Sequence, residues 1–394
     1  MQPSAHPSAS PWPHRWAVLL VCATFPLIWI GGLVTTYKAG MAVPDWPNTY
    51  GYNLFLYPWQ TWINGPWDLF IEHGHRLWGA TVGMVTICLV VSVWLQDDRR
   101  WMRACSLMAL AAVIFQGLLG GMRVRMDEIL LARIHGCFGP AFFAFATALA
   151  VCTSRWWRGM NDRSSLPGAK TLAGSAFAGG VATSGRLARL AAVTALLAYV
   201  QLVLGSLLRH VPAGTGPAAF RMAVWAHLLM AAVVSVHILL LAGKTWKAQP
   251  TDGALARPAF SLVGLLLCQL SLGVGTWVVK YGWPAWIADS SWASNSAMFG
   301  FTVTAGSRLQ AWVTTLHVAL GSMILATAVM AALRMARAAS HCGAVAHGTS
   351  SQPGAGSSPS GTDSQSRTEQ ASDYERAAEH ERPHVKQQLL EAVA

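Results

Sequence analysis

Long apolar runs constrain the fold of this chain more than any other feature of its sequence. Of its 394 residues, 53% are hydrophobic and 11% are charged, whereas soluble domains have roughly 25% charged residues. A helix needs about 20 apolar residues to cross the hydrocarbon of a bilayer. The sequence therefore predicts an all-α integral membrane protein with eight transmembrane helices. The eight runs are 16–36, 71–95, 104–122, 134–153, 188–208, 222–243, 259–279 and 310–333.

The placement of the basic residues predicts how these helices are oriented. In a soluble chain, a net charge of +11 would suggest a nucleic-acid partner. Here, however, Lys and Arg are concentrated in the segments that share a side of the membrane with the N-terminus. Cytoplasmic segments of membrane proteins carry this excess of basic residues. We therefore expect both termini in the cytoplasm, the lipid bilayer as the surrounding medium, and no nucleic-acid partner.

Two segments of different composition divide the chain. One, rich in Gly, Ala and Ser, separates the first four runs from the last four, and the other, rich in polar residues, follows the last run. Both compositions are typical of flexible chain. The predicted parts are a cytoplasmic segment (1–15), an N-terminal four-helix half (16–156), a flexible linker (157–187), a C-terminal four-helix half (188–337) and a disordered tail (338–394).

The two halves resemble each other in sequence. FQGLLGGMRV and IHGCFGPAFFAFAT, in the third and fourth runs, are similar to CQLSLGVGTWVV and LHVALGSMILAT in the seventh and eighth. Four helices return the chain to the same side of the membrane, so a duplication of this kind gives two halves of parallel topology. We therefore predict two tandem pseudo-symmetric four-helix bundles, each able to house a cofactor between facing helices.

Four histidines occupy equivalent places in the even-numbered runs, namely His75, His135, His227 and His317. Each lies near the start of its run, and therefore near the outer face of the membrane. A hydrogen bond between helices explains a single intramembrane histidine equally well. Four at one depth, two in each half, favour a functional role, because ionisable residues inside a membrane are costly and usually functional.

Imidazoles from two facing helices are natural axial ligands of haem iron. Zinc fits less well, since it usually takes three or four protein ligands and no cluster of Cys, Asp or Glu completes the set. Each pair of histidines is therefore predicted to bind one haem. His73 and His237 are expected to be structural, and His210, which follows Arg209, is a candidate for contact with a haem propionate.

An acidic residue distinguishes the two halves. Glu72 and His75 are three residues apart and share one face of the second helix. A carboxylate beside a haem ligand can accept a proton or stabilise a developing cation; the alternatives are a salt bridge with Arg76 or an acid that anchors the helix at the interface. The equivalent position in the C-terminal half is Val224. This difference predicts a reactive N-terminal half and an electron-transferring C-terminal half.

On these residues the chain resembles the haem A synthase family, membrane enzymes that convert haem O to haem A for terminal oxidases. The resemblance covers about residues 16–335 and rests on EHGHR, GGLVTTYKAGMAVPDWP, QGLLGGMRV and the later histidines, in this order. It implies that His75 and His135 flank the substrate haem O, with Glu72 as the catalytic carboxylate. Arg76 is then a propionate-binding or structural partner. His227 and His317 are implied to ligate a haem b.

The resemblance also implies a reaction and its context. The C8 methyl of haem O is oxidised successively to the formyl group of haem A, through an alcohol. Haem O synthase, a farnesyltransferase, is the expected partner, with ferredoxin or quinol as the electron donor, and a homo-oligomer is left open. The lack of an Arg-rich transit pattern favours a bacterial plasma membrane; the mitochondrial inner membrane is expected if the source is eukaryotic. An outer-loop cysteine pair found in some bacterial relatives is missing here.

Two other classes of protein share part of this pattern. A di-haem membrane cytochrome that only transfers electrons has a use for the four histidines, but it gives no reason for an acid in one half alone. A transporter with duplicated halves explains the repeat but leaves the matched histidines without a role. The bound pigments would distinguish the three classes.

Overall fold

The structure is a computed structural model that describes residues 10–162, 180–212, 214–250, 252–290 and 303–350. Eight helices in these ranges are long and apolar enough to cross a membrane, and the same ranges contain no β-strand. The protein is therefore an all-α, multi-pass membrane protein, as predicted. The helices are α1 (Trp12–Thr36), α2 (Trp67–Gln96), α3 (Arg100–Met126), α4 (Ile129–Thr153), α5 (Gly180–Arg209), α6 (Pro217–Ala248), α7 (Gly253–Tyr281) and α8 (Arg308–Ser350).

The helices are longer than the apolar runs that predict them. For example, α3 begins at Arg100 and ends at Met126, whereas its run covers 104–122. Charged and aromatic residues at helix ends lie at the depth of the headgroups, where their polar atoms reach water while the backbone stays helical. Hydropathy alone therefore finds the centre of each helix and misses its ends.

Parts of the predicted linker and tail are helical. A separate short helix spans Arg155–Asp162, α5 begins at Gly180, and α8 continues to Ser350, past the predicted start of the tail at residue 338. Small and polar residues such as those of the tail are compatible with the continuation of an apolar helix beyond the membrane. The rest of the linker (163–179), the first residues (1–9) and the tail beyond Ser350 lie outside the described residues.

Each set of four helices surrounds its own apolar core. Leu20, Leu89 and Met102 are fully buried in a cluster formed by α1 to α4. A second cluster, which includes Ile238 and Met335, is formed mainly by α5 to α8. This division agrees with a four-plus-four organisation. The pseudo-symmetry of the halves and their orientation in the membrane stay predictions.

The two halves meet along α1 and α8. Trp29 and Trp312 contact edge to face with ring centres 5.7 Å apart. The hydroxyl groups of Thr36 and Thr315 lie 3.3 Å apart, and the Thr315 methyl packs against Gly32. The small residues in this contact allow the two backbones to approach closely, as in other membrane helix pairs.

The segment between α1 and α2 folds over the end of the bundle at which α1 ends, called here the outer end. It contains a 3₁₀ turn (Ala39–Met41), an isolated antiparallel bridge between Thr49 and Tyr52, and a short helix (Trp59–Ile63). His73 of α2 is 2% exposed and pairs with the Thr49 hydroxyl at 3.0 Å. The outer segment is thereby attached to α2 by buried contacts.

The opposite, inner end of the N-terminal half is tied by one buried carboxylate. Asp97, between α2 and α3, accepts hydrogen bonds from Arg99 (2.6 and 2.8 Å) and from Arg158 (2.9 Å). Burial alone would raise the pKa of the Asp97 carboxyl, but the hydrogen bonds and charges of these two guanidinium groups hold it below its ordinary value. The aspartate is therefore ionised at neutral pH and links the α2–α3 turn to the short helix after α4.

Candidate functional site

The structure brings His75 of α2 and His135 of α4 together near the outer end. Their ring centres are 6.4 Å apart, and the ring planes are inclined at 75°. Two imidazoles that bind one metal ion from opposite sides have nitrogens about 4 Å apart, because each metal–nitrogen bond is about 2 Å long, and their ring centres lie somewhat farther apart. The observed separation therefore suits one ion between the two rings.

Each of the four histidines packs against a glycine of the preceding spanning helix. A Cβ atom built at Gly31 would lie only 2.8 Å from Cε1 of His75, closer than non-bonded carbon atoms normally approach. These glycines create the space that the imidazole rings occupy. The other contacts, measured in the same way, are Gly120 to His135 (3.1 Å), Gly205 to His227 (3.1 Å) and Gly273 to His317 (3.2 Å).

The structure also brings three glutamines to the histidines. Gln201 Nε2 lies 3.3 Å from Nε2 of His227, and Gln269 Nε2 lies 3.4 Å from Nε2 of His317. In the N-terminal half, the Gln116 amide donates to the backbone carbonyl of His135 at 3.0 Å. These three glutamines are not among the residues predicted from the sequence.

A repeated motif carries the signal for these glutamines. QGLLG (116–120), QLVLG (201–205) and QLSLG (269–273) place a glutamine one turn before each glycine, so both residues lie on the helix face that meets the histidine. The equivalent segment of α1 is LIWIG (27–31), in which Leu27 replaces the glutamine. His75 is therefore the one member of the set of four without an amide at this position.

The histidines retain buried nitrogen atoms without partners. In all four histidines Nδ1 is buried and has no hydrogen-bond partner among the described residues. Buried polar atoms are rarely left unpaired, so these imidazole rings are suited to bind a further group.

The donor set suits a haem better than a structural metal ion. Within the described part of the chain, no three His, Cys, Asp or Glu side chains are close enough to hold a metal ion. Two axial imidazoles leave the equatorial positions of an iron free for a porphyrin. The helices supply the apolar surroundings that a porphyrin ring requires. The residues present therefore fit a haem held by two histidines.

Glu72 is held rigidly one turn from His75. It is 3% exposed; Oε2 accepts a hydrogen bond from the Val43 N–H at 2.9 Å, and Oε1 accepts one from Arg76 Nη2 at 2.8 Å. The salt bridge considered as an alternative is thus present. It does not remove the carboxylate from the histidine pair; it fixes where the carboxylate lies.

Arg76 attaches the outer segment to α2. Its Nη1 donates to the carbonyls of Asp45 (2.7 Å) and Asn48 (2.9 Å), and its Nη2 donates to the carbonyl of Val43 (2.6 Å) and to Glu72. These contacts use the hydrogens of both terminal nitrogens and agree with a structural role. Contact between Arg76 and a propionate stays a prediction.

The remaining histidines have different surroundings. The ring of His73 packs against Tyr57 and Trp62, and His237 Nδ1 lies 3.0 Å from the Val233 carbonyl of its own helix. The His210 carbonyl accepts two hydrogen bonds from Arg133, at 2.6 and 3.0 Å. Burial, followed by the charges of nearby arginines, lowers the pKa of His210 to about 4, so its ring is neutral at physiological pH.

A comparison with protein families identifies a match that covers more than half of the chain. The profile of a family described as cytochrome oxidase assembly protein, COX15-CtaA, matches residues 66–290. The matched region contains Glu72, His75, His135 and His227, whereas His317 lies beyond it.

The sequence is also similar to those of individual proteins from other organisms. Proteins named heme A synthase from Brucella anthropi, Brucella ovis and Brucella suis are each 28% identical to it over 143 residues. Each alignment covers 34% of this chain and 39% of the relative. The match therefore spans well under half of the relatives' own length.

Proposed function

Because the chain belongs to the family of cytochrome oxidase assembly proteins, we propose that it converts haem O to haem A, by successive oxidation of the C8 methyl group to a formyl group through an alcohol. The haem A would serve a terminal cytochrome oxidase. The name shared by the Brucella relatives supports this reaction.

One observation carries the proposal. A rigidly held carboxylate, Glu72, lies one turn from a histidine pair whose ring centres are 6.4 Å apart. The C-terminal half repeats the histidines and glycines but has Val224 at the position of Glu72. An acid beside one of two similar pairs is expected if one porphyrin reacts and the other only transfers electrons.

The residues of the N-terminal half have distinct roles in this proposal. His75 and His135 hold the iron of the substrate haem O from opposite sides. Glu72 accepts the proton released when the reacting carbon is oxidised, or stabilises positive charge that develops there, and a positioned carboxylate is effective in either role. Arg76 and the Val43 N–H keep Glu72 in a single orientation. The carboxylate therefore needs little reorganisation during the reaction.

The C-terminal half would hold a haem b between His227 and His317. When bound, such a haem supplies one-electron transfer. Gln201 and Gln269 lie against the two imidazoles and restrict their rotation. O₂ would be the oxidant: in each step it would accept two electrons from the reacting carbon and two from a donor such as ferredoxin or quinol, with one oxygen atom entering the substrate and the other leaving as water. The diol formed in the second step would lose water to give the aldehyde. The substrate would come from haem O synthase, in a bacterial plasma membrane.

Conversion of added substrate by the purified protein tests the proposal. The full chain is incubated with haem O, a reductant and oxygen, and the extracted pigments are identified by mass. We expect the alcohol to appear first and the aldehyde later. If haem O is recovered unchanged while haem b is bound, the di-haem electron carrier is the correct function, and the pairing of Glu72 with Arg76 is then purely structural.

A further inference from the structure

Two arginines from different halves lie near the outer end of the bundle. Arg123 lies in the last turn of α3, and Arg209 is the last residue of α5. Arg209 Nη2 crosses to α1, where it donates to the Gly32 carbonyl at 2.6 Å and to the Thr36 hydroxyl at 2.8 Å. Gly32 directly follows the glycine that packs against His75. A side chain of the C-terminal half thus reaches the backbone beside the glycine that contacts His75.

Both guanidinium groups retain donors without acceptors. Arg209 Nη1 is buried and has no hydrogen-bond partner among the residues that the structure describes. Arg123 packs over Gly40 and forms no hydrogen bond or ion pair with any residue in the described ranges. A buried charged donor without a partner is costly, so Arg209 Nη1 is expected to meet an acceptor when the protein is functional, and the half-buried Arg123 has donors available for the same acceptor.

The surroundings of the two arginines carry an excess of positive charge. Their charges are close enough to interact with each other, and Lys280 also lies near Arg209. Two acids also lie near Arg123, namely Glu72, which is already paired with Arg76, and the exposed Asp127, one turn farther along the chain. Like charges in the low dielectric of a membrane protein repel strongly, and a bound anion would relieve that repulsion.

We propose that Arg123 and Arg209 form one anion site that binds the carboxylate groups of the porphyrin held by His75 and His135. The inference rests on the proposed function. Guanidinium groups match carboxylates in shape and charge, and haem O carries two propionate carboxylates at one edge of an otherwise apolar ring. Arg209 contacts the backbone next to Gly31, and Arg123 packs over Gly40 in the turn after α1, so both guanidinium groups lie at the same end of the bundle as a ring bound there.

Esterified haem provides a test that separates this site from the iron ligands. Ferric haem b and its dimethyl ester have the same iron and ring, but the ester lacks the negative charges. Each is titrated by absorbance into the full chain whose C-terminal half already carries haem. We expect wild type to bind the acid about 10–100-fold more tightly than the ester, because charged hydrogen bonds contribute about 1.5–3 kcal/mol.

The variants assign this preference to particular residues. Arg123→Gln and Arg209→Gln are each expected to weaken binding of the acid about tenfold or more and to leave binding of the ester unchanged. The exposed Arg125, two residues along α3, is the matched control, and Arg125→Gln should behave as wild type. Because Arg209 also joins the halves, Arg123→Gln tests the site even if Arg209→Gln does not fold.

Three results would overturn the inference. In the first, wild type does not distinguish acid from ester. In the second, the Arg123 and Arg209 variants retain the wild-type preference. In the third, they lose affinity for both forms equally, as a structural role requires. In each case haem still binds, so the proposed function survives; if neither form binds to wild type, the proposed function fails together with the anion site.

Discussion

The N-terminal and C-terminal halves place histidines against glycines in the same way but surround them differently. In the N-terminal half, Glu72 lies beside His75 beneath a folded outer segment, and Leu27 replaces the glutamine found in the other repeats. In the C-terminal half, Gln201 and Gln269 lie against both imidazoles. The shared scaffold sets where a porphyrin would bind, and the surrounding groups decide whether chemistry occurs there.

The halves also differ in how deeply their helices are buried. In α1 to α4, 39, 33, 22 and 56% of the most apolar stretch is buried inside the protein, compared with 22, 17, 17 and 39% in α5 to α8. Tight packing holds side chains in fixed rotamers, and fixed geometry is what a reacting group requires. The more closely packed half is also the half that contains Glu72.

Among the changes that test the difference between the halves, removal of the Glu72 carboxylate is expected to have the largest effect. Glu72→Gln keeps the size of the side chain and an acceptor for the Val43 N–H, but it removes the charge and the proton acceptor. We expect haem A formation to fall by about 10²–10⁴-fold, with both haems still bound. The measurement is the time course of pigments extracted from membranes.

The matched control for this change lies in the other half. Val224→Gln alters the equivalent position of α6 and should leave the rate of haem A formation near that of wild type. Wild-type haem A formation by Glu72→Gln would exclude Glu72 from the reaction.

A methyl group at one glycine is expected to disturb one half only. Gly31→Ala places Cβ 2.8 Å from the His75 ring and must displace it, at a cost of about 1–3 kcal/mol. We expect weaker binding of the substrate haem and an unchanged haem b spectrum. Gly205→Ala should change the haem b spectrum and leave binding of the substrate haem unchanged, because its Cβ contacts His227. Absorption spectra of the purified variants measure both effects.

Gly79 provides the control for these substitutions. A Cβ atom at Gly79 has no neighbouring atom within 4 Å, so Gly79→Ala should leave both spectra unchanged. If Gly31→Ala and Gly79→Ala behave alike, the contact between Gly31 and His75 does not limit the position of the ring.

The sequence predicts more about depth in the membrane than about contacts between helices. Hydropathy locates all eight helices, and the common depth of the histidines predicts that they meet. The contact of Gly31 with His75 depends on how each helix rotates about its axis, which a nearly uniform apolar surface does not determine. The partners of Arg76 are backbone carbonyls of the outer segment. Their positions follow from the tertiary fold.

The crossing of Arg209 to α1 illustrates the same limit. The sequence places this arginine at the end of the fifth run, beside His210, and a helix C-terminus is a favourable position for any cation. Only the packing of the two halves brings its Nη2 to Gly32 and Thr36. The three QxxLG segments, in contrast, were visible in the sequence and predict the glutamine contacts once their spacing is compared.

A smaller effect is expected at the inner end of the N-terminal half. Asp97→Asn removes the charge that pairs with Arg99 and Arg158, whose side chains are 25% and 18% exposed. We expect a loss of about 1 kcal/mol in the free energy of unfolding at pH 7, because both partners reach solvent. Thermal unfolding in detergent, followed by circular dichroism, measures the loss.

The pH dependence of this loss follows from the lowered pKa of Asp97. The folded-state pKa lies below the unfolded value of about 3.9, so the stabilisation is complete above the unfolded value and disappears as the pH falls through the folded one. The difference between wild type and variant should therefore vanish in acid. The exposed Asp98 provides the control, since Asp98→Asn should change stability little at any pH. A loss that persists in acid would show that charge is not the cause.

The central claim is that each half holds one porphyrin between two imidazoles, and counting the bound porphyrins tests it most directly. Pigments are extracted from wild type and from two double variants, His75→Ala with His135→Ala and His227→Ala with His317→Ala, then identified by mass and quantified per chain. We predict haem b with haem O or haem A in wild type, haem b alone in the first variant, and no haem b in the second. Retention of every pigment by both double variants would contradict the claim.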